Sequence, residues 1–293
     1  MNIRGTGRTH VGMERLLNED CMLVDNSTGL YVVADGLGGH LAGDVASSLA
    51  VEAVAEFIRD RRKLLERFRQ GWSGEDELTE LASRAVSHAC RVVHEHALAN
   101  RECTGMGCTL TVLLVGRRKA AIAHVGDSRL YLERNGRVRR LTSDHTYAWE
   151  LIRLGIISPA EIASVQGGSR LTRAVGIDRH VEVDELLIDL KPGDRFVLCS
   201  DGLSSYLPQP RVLDELLQSA PFEKLPQHMV DFANGAGGHD NVTVVVVEVT
   251  RVPKLTAARD PLGDSTTTDT QPASNQPGGR YHSDSTPTSW PMS

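Results

Sequence analysis

The sequence has no surplus of positive charge: 32 Lys and Arg stand against 38 Asp and Glu, a formal net charge of −6. A dedicated nucleic-acid binder needs a basic face for phosphates, so that class is set aside. Long apolar runs are also missing. The longest, Val242 to Val247 with one Thr, is far short of the roughly 20 residues that span a bilayer. Met1-Asn2-Ile3-Arg4 lacks the apolar stretch of a secretory signal. The five cysteines (Cys21, Cys90, Cys103, Cys108, Cys199) are odd in number and contain no Cys-x-x-Cys. That argues against a disulfide scaffold or a structural zinc site and makes a reducing cytoplasm the expected location. Aromatics are scarce at 4%, whereas hydrophobic residues reach 40%, so aliphatic side chains and alanine must fill the core.

Composition changes near residue 250. The segment 251–293 holds six of the twelve prolines, and Ser, Thr, Pro and Gly make up half of it. It cannot bury enough apolar surface to offset its ordering entropy and is expected to be a disordered tail, leaving 1–250 as the folded domain. Within that body, Val45, Leu49, Ala53, Phe57 and Ile58 recur at helical spacing, as do Leu78, Leu81, Ala82, Ala85, Val86, Ala89 and Val93. Shorter helices are expected over Thr146–Leu154 and Pro210–Leu217. Strand-like runs cover Leu30–Ala34, Cys108–Val115, Ala120–Val125, Val181–Leu190, Arg195–Cys199 and Val242–Val249. Arg129–Glu133 and Arg137–Leu141 are joined through Asn135-Gly136, a hairpin signal. Strands come in hairpins and helices in pairs, so the expected class is α+β with mostly antiparallel sheets.

The chemistry shows in where the aspartates fall. Four predicted strand ends carry one: Ala34 runs into Asp35-Gly36, Val125-Gly126 into Asp127-Ser128, Cys199-Ser200 into Asp201-Gly202, and Asp240-Asn241 opens the last strand. An aspartate at the end of a buried strand is costly unless its charge is compensated, and a following glycine lets backbone approach a ligand. If the strands stack in one core, several negative charges meet, and bound cations would hold them together. Carboxylates and carbonyls are hard oxygen donors, which suit Mg²⁺ or Mn²⁺. Two such ions can share a water, lower its pKa and present it for in-line displacement at phosphorus. Arg15, five residues before Asp20, supplies the planar cation that suits a phosphate dianion.

Together these residues resemble the metal-dependent serine/threonine protein phosphatases of type 2C, most closely the compact bacterial members. The resemblance runs in order from about Gly7 to Val249. It rests on Arg15-x-x-Asn18-Glu19-Asp20, Val33-Ala34-Asp35-Gly36-Leu37-Gly38-Gly39-His40, Gly107-Cys108-Thr109 and Val125-Gly126-Asp127-Ser128-Arg129. Ser143-Asp144-His145, Leu171-Thr172-Arg173-Ala174-Val175-Gly176, Ser200-Asp201-Gly202-Leu203 and Asp240-Asn241-Val242-Thr243 continue it. It implies a sandwich of two mostly antiparallel sheets flanked by helix pairs. It implies catalytic roles for Arg15, Asp20 and Asp35, with Arg15 gripping the phosphate. Asp35 would bridge two metals, the Gly36 carbonyl would ligate one of them, and Asp201 and Asp240 the other. Asp127 with Asp201 would hold a third ion, with Asp144 a weaker candidate, and Asp20 and Glu19 would act through metal-bound waters. The segment from about 145 to 169 matches a mobile flap beside the site. The implied activity is hydrolysis of phosphoserine and phosphothreonine by a metal-bridged water. The implied partners are phosphorylated proteins and a bacterial serine/threonine kinase, with no nucleic acid, no membrane and a monomeric chain.

One position departs from the wider family: Leu37 stands where eukaryotic relatives carry a histidine discussed as an acid, and His40 is the nearest titratable substitute. Rival readings are weaker. Gly36 to Gly43 fits neither a dinucleotide fingerprint nor a P-loop. No Gly-x-Ser-x-Gly marks a serine hydrolase. A phosphatase acting on an anti-sigma-factor antagonist would often add sensory or membrane domains. A catalytically inactive phosphoprotein-binding module would be expected to lack a ligand, yet Asp35, Asp201 and Asp240 are all present.

Overall fold

The computed structural model describes residues 2–38, 42–70 and 74–253. Of the tail expected over 251–293, residues 254–293 lie outside the described residues, as does His40. Eleven strands appear among these: β1 (Asn2–His10), β2 (Asp20–Asp25), β3 (Leu30–Leu37), β4 (Gly107–Cys108), β5 (Leu110–Val115), β6 (Lys119–Val125), β7 (Arg129–Arg134), β8 (Arg137–Arg140), β9 (Asp184–Asp189), β10 (Arg195–Cys199) and β11 (Val242–Arg251). The helices are α1 (Ala42–Asp60), α2 (Arg62–Gln70), α3 (Glu75–Ala99), α4 (Tyr147–Arg153), α5 (Asp201–Ser204), α6 (Pro210–Gln218) and α7 (Leu225–Gly235). One sheet runs β1-β11-β10-β7-β8 and the other β2-β3-β5-β6-β9, with β4 also on β3. Every strand pair in both sheets is antiparallel.

The strands read as unbroken apolar runs because both faces are covered. Along β3, Tyr31 and Val33 enter the core between the sheets while Val32 and Ala34 face α1 and α3. Along β11, Val245 and Val247 point between the sheets and Val244 and Val246 toward α6 and α7. The result is four layers, helix pair, sheet, sheet, helix pair. In α1, Ala46, Ala50, Val54 and Ile58 recur every fourth residue and are all buried. The α3 partners Ala82, Ala85 and Ala89 are fully buried too, and their small side chains let the two helices approach closely.

Several elements differ from the sequence expectation. β1 was not expected, because its polar, glycine-containing stretch has no apolar alternation. Its glycines are used for close approach: a β-carbon at Gly5 would strike the Tyr31 ring, and one at Gly7 would stand 2.8 Å from Met22 Sδ. The strand expected over Cys108–Val115 is split at Thr109, whose backbone N–H donates to the Asp35 carbonyl at 2.8 Å. The expected Val181–Leu190 strand forms only over Asp184–Asp189. At the other end of the domain, β11 continues to Arg251, and the Pro253 carbonyl accepts a bond from Arg118 Nη1 at 2.7 Å.

The crossover from β9 to β10 carries the chain from one sheet to the other and so aims the strand that leads to Asp201. It is fixed by Asp194, whose side chain is 1% exposed and accepts from Arg134 Nε at 2.7 Å, from Arg134 Nη2 at 2.6 Å and from the Lys191 N–H at 2.7 Å. Removing one partner of a buried pair leaves the other unsatisfied. Asp194→Ala is therefore expected to lower unfolding free energy by about 3 kcal/mol, read by denaturant titration. A change within error would show the crossover to be held by packing alone.

Candidate functional site

The sheets bring their aspartate-bearing ends together. Asp20, the first residue of β2, lies directly opposite Asp35 of β3, a pairing of like charges that is unfavourable on its own. β10 ends at Cys199 and delivers Asp201 through Ser200, while Asp240 precedes β11, the neighbour of β10. Asp127 follows the end of β6. The carboxylates feel one another. Burial pushes Asp35 well above the usual carboxylate range, and the charges of Asp20, Asp201, Asp127 and Asp240 push it further. Burial likewise raises Asp20 to about 7, against hydrogen bonds from Thr243 and Ser200. Asp127 is raised to about 7 by burial and then by Asp201 and Asp144. Asp201 is raised by burial and by Asp240, opposed by its hydrogen bond with Asp35.

Two glycines make the crowding sterically possible. The Gly36 N–H donates to the Glu19 carbonyl at 3.1 Å, and a β-carbon there would strike the Gly43 carbonyl. A β-carbon at Gly202 would strike the Asn241 carbonyl. Neutral side chains do the rest. Ser200 Oγ donates to Asp20 Oδ2 at 2.7 Å and accepts the Thr243 N–H at 3.0 Å, joining the ends of β2, β10 and β11. Thr109 Oγ1 accepts the Asp35 N–H at 2.9 Å. Asn241 Nδ2 donates to the carbonyls of Val11 (2.9 Å) and Leu17 (2.8 Å), while its Oδ1 accepts the Glu19 N–H at 2.8 Å. None of Ser200, Thr109 or Asn241 had been given a role from sequence, although each sits inside or beside a quoted motif. The available signal was a Ser, Thr or Asn directly adjoining a motif aspartate, or a motif glycine-cysteine pair.

Arg15 reaches the cluster, with Nη2 2.8 Å from Asp240 Oδ2 and its side chain 51% exposed. The other Asp240 oxygen, Oδ1, accepts the Asn241 N–H at 2.8 Å. Asp144 is placed differently from the sequence expectation. Its two oxygens are taken by Arg129 (Nε 3.1 Å to Oδ1, Nη2 2.8 Å to Oδ2) and Arg140 (Nη1 3.3 Å to Oδ2). A carboxylate already neutralised by two guanidiniums is a poor extra ligand. Next to it, His145 Nδ1 accepts the Gly126 N–H at 3.1 Å, so Nε2 carries the proton toward Asp184 Oδ2 at 3.2 Å. His145 thereby holds the turn that presents Asp127. A cleft of about 630 Å³ opens between this turn and the 146–169 segment, lined by Asp127, Asp201, Arg129, Asp144, Trp149 and Gly168 among others.

The donor set can be tested for its fit to cations. Glu19 Oε1, Asp20 Oδ1 and Asp201 Oδ1 are buried oxygens with no hydrogen-bond partner. Such orphan acceptors at a like-charge cluster fit hard divalent ions and nothing apolar. Among the described residues, no three acidic, histidine or cysteine side chains already form a closed cage.

Comparison with known proteins identifies the family. The family model described as Protein phosphatase 2C matches residues 5–243. The serine/threonine phosphatase stp of Listeria welshimeri is 34% identical over 245 residues, covering 82% of this chain and 94% of the relative. The crystal structure of the Mycobacterium tuberculosis serine/threonine phosphatase PstP/Ppp superposes with a TM-score of 0.75 at 31% identity, covering 86% of this chain and 100% of that one. The PstP catalytic domain in complex with two manganese ions gives a TM-score of 0.73 at 31% identity, covering 85% and 99%. With a family model matching residues 5–243 and relatives about a third identical over most of their length, the chain belongs to the protein phosphatase 2C family.

Proposed function

We propose that this protein is a Mn²⁺- or Mg²⁺-dependent serine/threonine protein phosphatase that hydrolyses phosphoserine and phosphothreonine by direct attack of water, opposing a bacterial serine/threonine kinase. The observation that carries the reading is the meeting of Asp20, Asp35, Asp127 and Asp201, whose pKa values are raised by burial and by one another's charge, with buried oxygens left unpartnered. Asp35, the Gly36 carbonyl, Asp201 and Asp240 would hold two ions, and Asp127 with Asp201 a third. Asp144 is not among the proposed ligands, because its oxygens are taken by Arg129 and Arg140. When bound, the ions supply neutralisation of the cluster and activation of the attacking water.

The chain's own groups then bind and orient. Arg15 is half-exposed and pairs with Asp240 at the surface of the cluster, so it can exchange that partner for the doubly charged phosphate with little desolvation cost. Asp20, fixed by Ser200, and Glu19, whose main chain is held by Asn241 and Gly36, orient water. The P–O ester bond breaks, oxygen from water joins phosphorus, and the serine or threonine hydroxyl leaves with a proton. Leu37, next to Gly36, offers no acid.

Turnover of a phosphothreonine peptide and of p-nitrophenyl phosphate is expected with Mn²⁺ or Mg²⁺ and nearly none in excess chelator; full activity in chelator would overturn the reading. Arg15→Ala is expected to reduce kcat/KM by roughly ten- to a thousandfold while Mn²⁺ still raises the melting temperature. Unchanged kinetics would return Arg15 to a surface role. The raised carboxyls also set a pH dependence. Folded values of about 7 for Asp20 and Asp127 exceed the unfolded value of about 3.9, so the folded protein binds more protons between the two. The stability tied to those protons is fully present below about pH 4 and is lost as pH rises through about 7. Cation binding needs the deprotonated carboxylates. The gain in melting temperature on adding Mn²⁺ is therefore expected to be larger at about pH 8 than at about pH 5. An equal or smaller gain at the higher pH would contradict a carboxylate site.

A further inference from the structure

Arg15 sits among large apolar side chains that face solvent. Met13 is 65% exposed, Leu16 96% and Leu17 47%. Scattered exposed hydrophobics need no explanation, but these three fall within five residues on one loop, and the loop is not free to fold them away. The Met13 N–H donates to the Gly238 carbonyl at 2.7 Å. Asn241 Nδ2 holds the carbonyls of Val11 and Leu17 at its two ends. Gly12 adopts a left-handed φ of 83°, and a β-carbon there would strike the Asp240 carbonyl. The loop is thus stapled to the segment that carries Asp240. Its polar members turn toward that segment: Glu14 Oε1 lies 2.6 Å from His239 Nδ1, and Arg15 bonds Asp240. The apolar members are left outward in a fixed position.

We infer that Met13, Leu16 and Leu17 form an apolar lip that packs against a large hydrophobic side chain within two residues of the phosphorylated serine or threonine of a partner protein, so that this face selects phosphoproteins by what flanks the phosphate. The inference rests on Arg15 taking the phosphate. Consecutive Cα atoms are about 3.8 Å apart, and an extended peptide rises about 3.3 Å per residue. A chain whose phosphate reaches Arg15 therefore carries its near neighbours across Leu16 and Leu17. A mobile polar loop would have to be ordered on binding, whereas this one is already fixed, so covering the leucines adds to affinity without that cost.

The test compares two phosphothreonine peptides, identical except for leucine or serine on both sides of the phosphothreonine, with the full chain and Mn²⁺. The wild-type protein is expected to prefer the leucine peptide about tenfold in kcat/KM, mainly through KM. Leu16→Ser is expected to remove most of that preference while leaving melting temperature, serine-peptide turnover and p-nitrophenyl phosphate turnover unchanged. Equal use of both peptides by the wild type, or an undiminished preference in Leu16→Ser, would overturn the lip while intact p-nitrophenyl phosphate turnover keeps the phosphatase reading. If Leu16→Ser instead abolishes a concentration-dependent dimer in sedimentation and leaves peptide preference alone, the lip is a contact between copies and the proposal fails. Absence of all ester hydrolysis by the wild type would overturn the phosphatase reading and the lip with it.

Discussion

Like charges held against one another at the ends of buried strands are the constraint around which the domain is arranged. Asp20 and Asp35 face each other across β2 and β3, and Asp201 and Asp127 add to the same field. A fold has no reason to collect such groups for stability, since each raises the cost of ionising the next. What makes the collection tolerable is a ring of neutral hydrogen-bonding side chains. Ser200, Thr109 and Asn241 bind the backbone around the cluster from three directions, and the aliphatic layers on both sides keep the strand ends from moving apart. The site is a region of stored electrostatic strain inside an otherwise low-polarity sandwich.

Much of the framework was legible in the sequence because its signals are local. Strands buried on both faces read as continuous apolar runs, and Asn135-Gly136 marked the β7–β8 hairpin, with φ values of 56° and 68° that few other residues accept. The long helices showed apolar residues at helical spacing, from Val45 to Ile58 and from Leu78 to Val93. The elements that were not legible take their stability from elsewhere. β1 is a polar strand whose hydrogen bonds are supplied by β11, more than 230 residues later. α7 carries Pro226 in its first turn and is defined by the apolar face of β11 beneath it. β2 is half-buried along most of its length, so it lacks the apolar run that revealed its neighbour β3.

The candidate site divides in the same way. An aspartate followed by glycine at the end of an apolar run is visible in one dimension, so Asp35 and Asp201 stood out, and Asp127 and Asp240 through neighbouring turns. The bonds that position them are not visible, because Asn241 acts on residues 222 to 230 positions away and Ser200 on one 180 away. Asp144 has partners that the sequence could not show. Its motif placed it near the other carboxylates, and it lines their cleft, but its partners Arg129 and Arg140 lie on the two strands of the adjacent hairpin, and only pairing of those strands brings both guanidiniums to it.

The three bonds of Asn241 have a consequence for how the protein can change over time. They fix the main chain of the 11–19 loop through its carbonyls and an N–H, leaving the identities of its outward side chains unused by the fold. Positions such as 16 can therefore vary without disturbing the neighbouring guanidinium or the strand end beneath it. Recognition and chemistry occupy adjacent residues yet are mechanically separate, so a lineage carrying this loop can exchange its targets while keeping one unaltered reaction centre.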